Sequence, residues 1–133
     1  MHISAETEPE RIALVNFQTR LRAEWGFHQS FGASDLLAKW KTAISNLERG
    51  NISEHDLPYE LSLRDEIDTL IRSVPFRLGE LIASFVQPLD VRFINATIPS
   101  KEPRLPALEG ESQHERWFRR PALSGSGQFR VSD

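Results

Sequence analysis

Acidic side chains are concentrated between residues 54 and 68, which we call the acidic stretch. It carries six carboxylates against one arginine, Arg64, so its local charge is −5. Carboxylates on a protein surface attract cationic partners, speed their association and select against anionic ones. We therefore predict that this stretch binds a basic protein partner. The predicted partner-binding residues are Glu54, Asp56, Glu60, Asp65, Glu66 and Asp68.

Part of this charge has a structural interpretation. Ser62 followed by Asp65 resembles a capping box, and Asp65 and Glu66 would then stabilise the first turn of a helix through its dipole. The other interpretation is that the carboxylates form a recognition face. Helix polarity leaves three of them without a structural role, and these carry the functional hypothesis: Glu54, Asp56 and Glu60.

Catalytic and metal-binding chemistry is sparse in this sequence. The absence of cysteine excludes disulfides, thiolate zinc sites and a cysteine nucleophile. The four histidines lie in different segments, and no two have the i, i+4 spacing that places two ligands on one helix face. We predict that the protein is not an enzyme and uses no metal or cofactor. The catalytic alternative is a small hydrolase that uses His55, Asp56 and a serine.

A short basic segment lies near the C-terminus, where Arg116, Arg119 and Arg120 surround Trp117 and Phe118. Arginine with aromatic residues can bind phosphates and stack on bases. However, the net charge is −3 for the chain and −4 through residue 99, which argues against a sequence-independent nucleic-acid binder. We predict instead that this tail docks on the protein and pairs with the acidic body.

Helical periodicity predicts the elements that position these residues. A first helix over 9–24 begins after Thr7 and ends at Gly26, and a second over 35–49 has Ser34 as its cap. The second helix carries an apolar stripe, and Gly50 follows it where a left-handed residue is needed. The stripe is formed by Leu36, Leu37, Trp40, Ala43, Ile44 and Leu47.

Two further helices are predicted after an acidic connector over 51–61. The third begins at Ser62 and ends near Ser73, and the fourth lies between Pro75 and Pro88. Residues 89–97 fit either a helix or a short strand, because their apolar positions match both periods.

The remaining chain is rich in proline and glycine and has few apolar residues. We therefore expect a helical domain over 1–98 and an extended tail over 99–133 that packs partly on it, with a short β-hairpin around 124–127 as an open possibility. The predicted fold class is mainly α, a compact bundle of four to five helices with an irregular C-terminal tail. No apolar run is long enough to cross a membrane and the N-terminal residues lack a secretory pattern, so we expect a cytoplasmic protein.

Several short motifs resemble small bacterial helical proteins, some of which are similar to immunity proteins. The resemblance covers roughly residues 36–97 and implies helix packing and capping, with Asp65 and Arg92 as a pair that ties two helices. Together with the acidic stretch, it favours an immunity or antitoxin-type protein that neutralises a basic toxin; the alternative is a regulatory or adaptor domain of a larger assembly. The motifs are Trp40, Leu47-Glu48-Arg49-Gly50, Leu63-Arg64-Asp65, Leu89-Asp90-Val91-Arg92-Phe93 and Ala96-Thr97.

Overall fold

Four α-helices and a pair of short strands form the part of the chain that the structure describes. The computed structural model describes residues 2–99, 116 and 119–122. The predicted class, mainly α with four to five helices, is confirmed with four helices. The elements in chain order are α1 (Glu8–Trp25), α2 (Ala33–Glu48), α3 (Leu57–Ser73), α4 (Phe76–Asn95), β1 (Thr97–Pro99) and β2 (Arg119–Pro121).

The first helix begins and ends as its sequence predicts. The Thr7 side chain accepts a hydrogen bond from the backbone N–H of Glu10, and Pro9 lies in the first turn, where its missing N–H costs nothing. Gly26 ends the helix in the left-handed conformation, with φ of 71°. A side chain would be strained there, so the residue type determines where α1 stops.

The start of α2 differs from the prediction, although its stripe is buried as expected. Ser34 is not the cap, because the helix begins at Ala33 and Gly32 holds the capping position. The free amides there are satisfied by the Asp35 carboxylate, which accepts from Gly32 N at 2.8 Å, and by the Gln18 side chain, which accepts from Ala33 N at 2.9 Å. After α2, Gly50 has φ of 74°, which confirms its predicted left-handed conformation.

The third helix begins earlier than predicted. Ser62 does not cap it, because α3 already starts at Leu57 and Pro58 lies in its first turn. A proline in that position is tolerated for the same reason as Pro9 in α1. The Ser62 hydroxyl instead donates to the carbonyl of Pro58 within the helix.

The fourth helix runs through Pro88 and ends at Asn95, which resolves the open alternative at 89–97 in favour of helix for most of that range. Proline removes one backbone hydrogen bond and disturbs the preceding turn. Here a single buried stripe continues on both sides of it, and the burial of this stripe offsets the cost. The stripe consists of Leu78, Ile82, Val86, Leu89 and Phe93.

Trp40 lies at the centre of the core formed by α2, α3 and α4. Its side chain is 1% exposed, and its ring centroid lies 5.3 Å from that of Phe93. Its indole Nε1 donates to Asp90 on α4 at 3.0 Å, so the buried N–H has a partner. No helix in the described part of the chain is long and apolar enough to cross a membrane.

The two strands hold a later part of the chain against the end of α4. They pair antiparallel, with Ile98 opposite Arg120. Arg119 is 7% exposed and donates to the Thr97 hydroxyl and to the carbonyls of Ile94 and Thr97. A guanidinium at this position satisfies carbonyls at the negative end of the helix dipole. Residues 123–133, including the predicted hairpin at 124–127, lie outside the described residues, and the division at 98–99 stays a prediction.

Candidate binding pocket

The six predicted partner-binding residues do not share one face of the protein. On a helix with 3.6 residues per turn, Glu60, Asp65 and Glu66 point in directions separated by about 100–140°. Their surroundings differ accordingly: the first borders a pocket beside α2, the second contacts Arg116 and the third contacts α1. The acidic stretch therefore consists of separate carboxylate sites.

Asp65 and Asp68 bind an arginine from the later part of the chain. Arg116 Nη1 donates to Asp65 at 2.7 Å and to Asp68 at 3.0 Å, and these side chains are only 15%, 19% and 18% exposed. Asp68 also accepts from Arg64 at 2.7 Å, and Arg64 donates two further hydrogen bonds to Asp90 on α4. The predicted pairing of the tail with the acidic body is confirmed for this arginine, whereas Trp117 and Phe118 lie outside the described residues.

Glu66 joins α3 to α1. It accepts from Arg20 at 2.8 Å and from the indole Nε1 of Trp25 at 2.9 Å. The prediction that Asp65 and Glu66 stabilise a first helical turn is wrong, because α3 begins at Leu57, well before both residues. Their carboxylates are used for contacts between segments.

The expected pairing of Asp65 with Arg92 is also wrong. Arg92 lies on α4 and binds Glu48 on α2, with Nε and Nη2 donating at 2.9 and 2.7 Å. Asp65 points to the side of α3 that Arg116 covers. The Arg92–Glu48 pair therefore ties α4 to α2, whereas the Asp65–Arg116 pair ties α3 to a later part of the chain.

The connector before α3 holds Glu54 and Asp56 at the surface. Glu54 accepts from Arg120 at 2.6 Å in an exposed pair. Asp56 accepts from the Ser53 hydroxyl at 3.1 Å and donates its backbone N–H to the same oxygen. His55 is exposed and makes no hydrogen bond or ion pair with the described residues, and the hydrolase alternative stays a prediction.

Glu60 lies in an open pocket of about 480 Å³ between α2, the connector before it and the first turn of α3. Phe31 and Tyr59 contribute aromatic surface to this pocket, which also contains both signs of charge. Its charged and polar lining includes Asp35, Lys39, Thr42, Asn46, Glu60 and His28. Mixed apolar and polar walls of this kind are typical of ligand sites.

The Glu60 carboxyl is half-buried and accepts no hydrogen bond or ion pair within 4 Å from the described residues. Burial raises the pKa of Glu60 above its ordinary value of 4.5; Lys39 opposes this rise and Asp56 adds to it. The charged form of this carboxyl is therefore disfavoured by the fold.

Aromatic rings at the end of α1 and on the connector to α2 pack behind Phe31, which lines the pocket. Phe27 stacks on Phe31 at 4.1 Å and on Trp25 at 5.8 Å, and Trp25 meets Tyr59 edge-on at 5.9 Å. The Lys39 ammonium lies 5.7 Å from the Phe27 ring centroid. The edge-on contact of Trp25 with Tyr59 on α3 joins distant parts of the chain and was not predicted from the sequence.

Glu60 is an exception among the carboxylates that this fold takes out of water. Six carboxylates in the described residues are buried or half-buried, and five of them bind an arginine of the chain. An unpaired carboxylate is costly to bury, which explains the pattern. The five are Glu10, Asp65, Glu66, Asp68 and Asp90.

Neither a search for metal-binding groups nor a comparison with known proteins assigns a function to this chain. Within residues 2–99, 116 and 119–122, no group of three or more histidine or carboxylate side chains is arranged to hold a metal ion. No protein family, curated protein or solved structure matches this chain. Functional inference therefore depends on the geometry and charge of the pocket.

Proposed function

We propose that this protein is a binding module of the immunity or antitoxin type, which recognises a basic toxin and blocks its positively charged active surface. The surface proposed for recognition is the acidic corner, which we define as Asp35, Asp56 and Glu60. Asp35 and Glu60 line the pocket, and Asp56 lies close enough to act on the pKa of Glu60.

One observation carries this proposal: the three carboxylates of the acidic corner have no ion pair among the described residues. Asp35 accepts a backbone N–H from Gly32, and Asp56 accepts from the Ser53 hydroxyl. Of the six partly buried carboxylates in the described residues, the five other than Glu60 each bind an arginine. A basic partner would supply the missing positive charge, and the resulting attraction would speed encounter and select the partner.

The later half of α3 is assigned a structural role within this proposal. Asp65, Glu66 and Asp68 are used within the chain by Arg116, Arg20 and Arg64. The recognition surface is accordingly narrower than the acidic stretch and extends to Asp35, which lies outside that stretch.

Association kinetics with the product of the adjacent gene test the proposal, which requires that product to be a basic toxin. Asp56→Asn combined with Glu60→Gln removes two charges from the acidic corner with little change in shape. Its matched control, Glu8→Gln with Glu80→Gln, removes two exposed charges from α1 and α4. We expect the corner variant to associate about tenfold more slowly at low salt and the difference to shrink as salt rises, because the attraction is screened.

The outcomes separate this function from its alternatives. Relief of the neighbour's toxicity on co-production, together with the salt-dependent effect, supports an immunity protein. Equal rates for the corner variant and its control would contradict recognition through the acidic corner. Partner binding that depends instead on Arg120 would favour a regulatory or adaptor domain that docks through its tail.

A further inference from the structure

We infer that the pocket is an arginine-recognition site that receives one guanidinium-bearing side chain of the partner and pairs it with Glu60. This inference rests on the proposed function, because it specifies the part of a basic partner that enters the acidic corner. It assigns a ligand class to a cavity with aromatic walls and an unpaired carboxylate.

The chain itself shows how its fold holds partly buried carboxylates. Arg77 donates to Glu10 through Nε and Nη2, each at 2.8 Å, and Arg64 donates to Asp90 through the same two atoms at 2.9 and 2.7 Å. Such two-pronged pairs are directional as well as strong. A guanidinium that reaches Glu60 would complete the same arrangement in the one partly buried carboxylate site where the described residues supply none.

The walls of the pocket fit a planar cation. Phe31 lines one side, and Tyr59, which is 50% exposed, leaves ring surface accessible on another. A guanidinium stacks on aromatic rings while its edge forms hydrogen bonds. Thr42 and Asn46 also line the pocket, and their side chains carry oxygens of the kind that accept N–H groups.

The behaviour of Lys39 argues for arginine over lysine. Lys39 lines the same pocket, yet its ammonium lies 5.7 Å from the Phe27 ring centroid and forms no ion pair with Glu60 within 4 Å. An ammonium is a compact, strongly hydrated charge, whereas a guanidinium is planar and more weakly hydrated. The half-buried position of Glu60 therefore favours the guanidinium, which loses less hydration free energy on leaving water.

An NMR titration of the isotope-labelled chain with N-acetyl-L-arginine amide tests this site without any partner protein. We expect shifts in the pocket amides and in the Trp25 indole N–H, with a dissociation constant of about 1 mM, as suits a single side chain. N-acetyl-L-citrulline amide, which has nearly the same shape but no charge, should bind at least about tenfold more weakly. N-acetyl-L-lysine amide should also bind more weakly than the arginine probe.

Variants identify the groups responsible. Glu60→Gln should weaken binding of the arginine probe by about tenfold or more, and Glu80→Gln, an exposed change on α4, should leave it unchanged. Tyr59→Leu should weaken it several-fold through the loss of stacking surface. Resonances far from the pocket report whether each variant retains the fold.

Three results would overturn the inference: equal binding of the citrulline probe, undiminished binding by folded Glu60→Gln protein, or no shifts at about 20 mM arginine probe, well above the expected constant. The proposed function can fail separately. Binding of the arginine probe without association with the neighbouring basic protein would retain the arginine site and reject the immunity role. Salt-dependent association that needs Asp56, without binding of the arginine probe, would retain the proposed function and reject the arginine site.

Discussion

Both halves of α3 carry acidic side chains, but those of the later half are paired with arginines and that of the first turn is not. In the later half, Asp65, Glu66 and Asp68 each bind an arginine that comes from another segment or from α3 itself. In the first turn, Glu60 has no such partner among the described residues and faces a pocket. The comparison teaches that acidic composition is a poor guide to a binding surface, since a carboxylate becomes a candidate only when the fold leaves it without a cation.

The largest expected effect on stability comes from replacing Arg64, which pairs with Asp68 in the later half of α3. Arg64→Leu would leave Asp68 and Asp90 without a shared guanidinium that is only 6% exposed. We expect the free energy of unfolding, measured by urea denaturation, to fall by about 3 kcal/mol, because Asp90 loses its arginine while Asp68 keeps Arg116.

Arg72→Leu is the matched control for that measurement. Arg72 is an exposed arginine on the same helix, and its replacement should change the free energy of unfolding by no more than about 0.5 kcal/mol. If the two variants were equally stable, the ion pairs in the later half of α3 would contribute no more to stability than an exposed residue of that helix. That result would contradict the comparison.

A smaller loss of stability is expected from replacing Arg116, which connects a distant segment to the later half of α3. Arg116→Gln removes charge-assisted hydrogen bonds to Asp65 and Asp68, and we expect a loss of about 1–2 kcal/mol in the free energy of unfolding. Arg120→Gln, which breaks the exposed pair with Glu54, should cost about 0–1 kcal/mol. A larger loss for Arg120 than for Arg116 would show that tail docking depends on the connector and not on α3.

Local patterns in the sequence predicted most of the helical framework. The apolar stripe of α2, the Thr7 cap, the end of α1 at Gly26 and the left-handed Gly50 depend on residues close in sequence, and the structure confirms them. The start of α3 was misplaced because the capping-box pattern at Ser62 was taken as its beginning, although Pro58 in a first turn is compatible with an earlier start.

The pocket could not be predicted because it depends on contacts between distant residues. Phe31 and Glu60 line the same pocket only after the residues between α1 and α2 pack beside the first turn of α3, and no local period encodes that arrangement. The separation of the acidic residues did have a signal. If α3 is started at Leu57, helical geometry places Glu60 about 120° from Glu66, which already excludes a single face.

The smallest expected effect is a gain in stability, and it comes from replacing Glu60 in the first turn of α3. Because burial raises the pKa of Glu60, the folded protein holds the protonated carboxyl more tightly than the unfolded chain does. This contribution to stability is fully present below the ordinary pKa of 4.5 and is lost as pH rises through the higher folded value. Glu60→Gln, which is neutral at every pH, should therefore be slightly more stable than the native protein at pH 7.

Urea denaturation at several pH values checks this expectation, with Glu80→Gln as the control for removing an exposed charge. The advantage of Glu60→Gln should shrink as pH falls towards 4.5, where Glu60 itself becomes neutral, while the control should show little advantage at any pH. A gain in stability that accompanies loss of arginine binding would be the pattern of a residue retained for recognition at the expense of folding. A native protein more stable than Glu60→Gln at pH 7 would mean that Glu60 is held by a cation within the chain, and the distinction between the two halves of α3 would disappear.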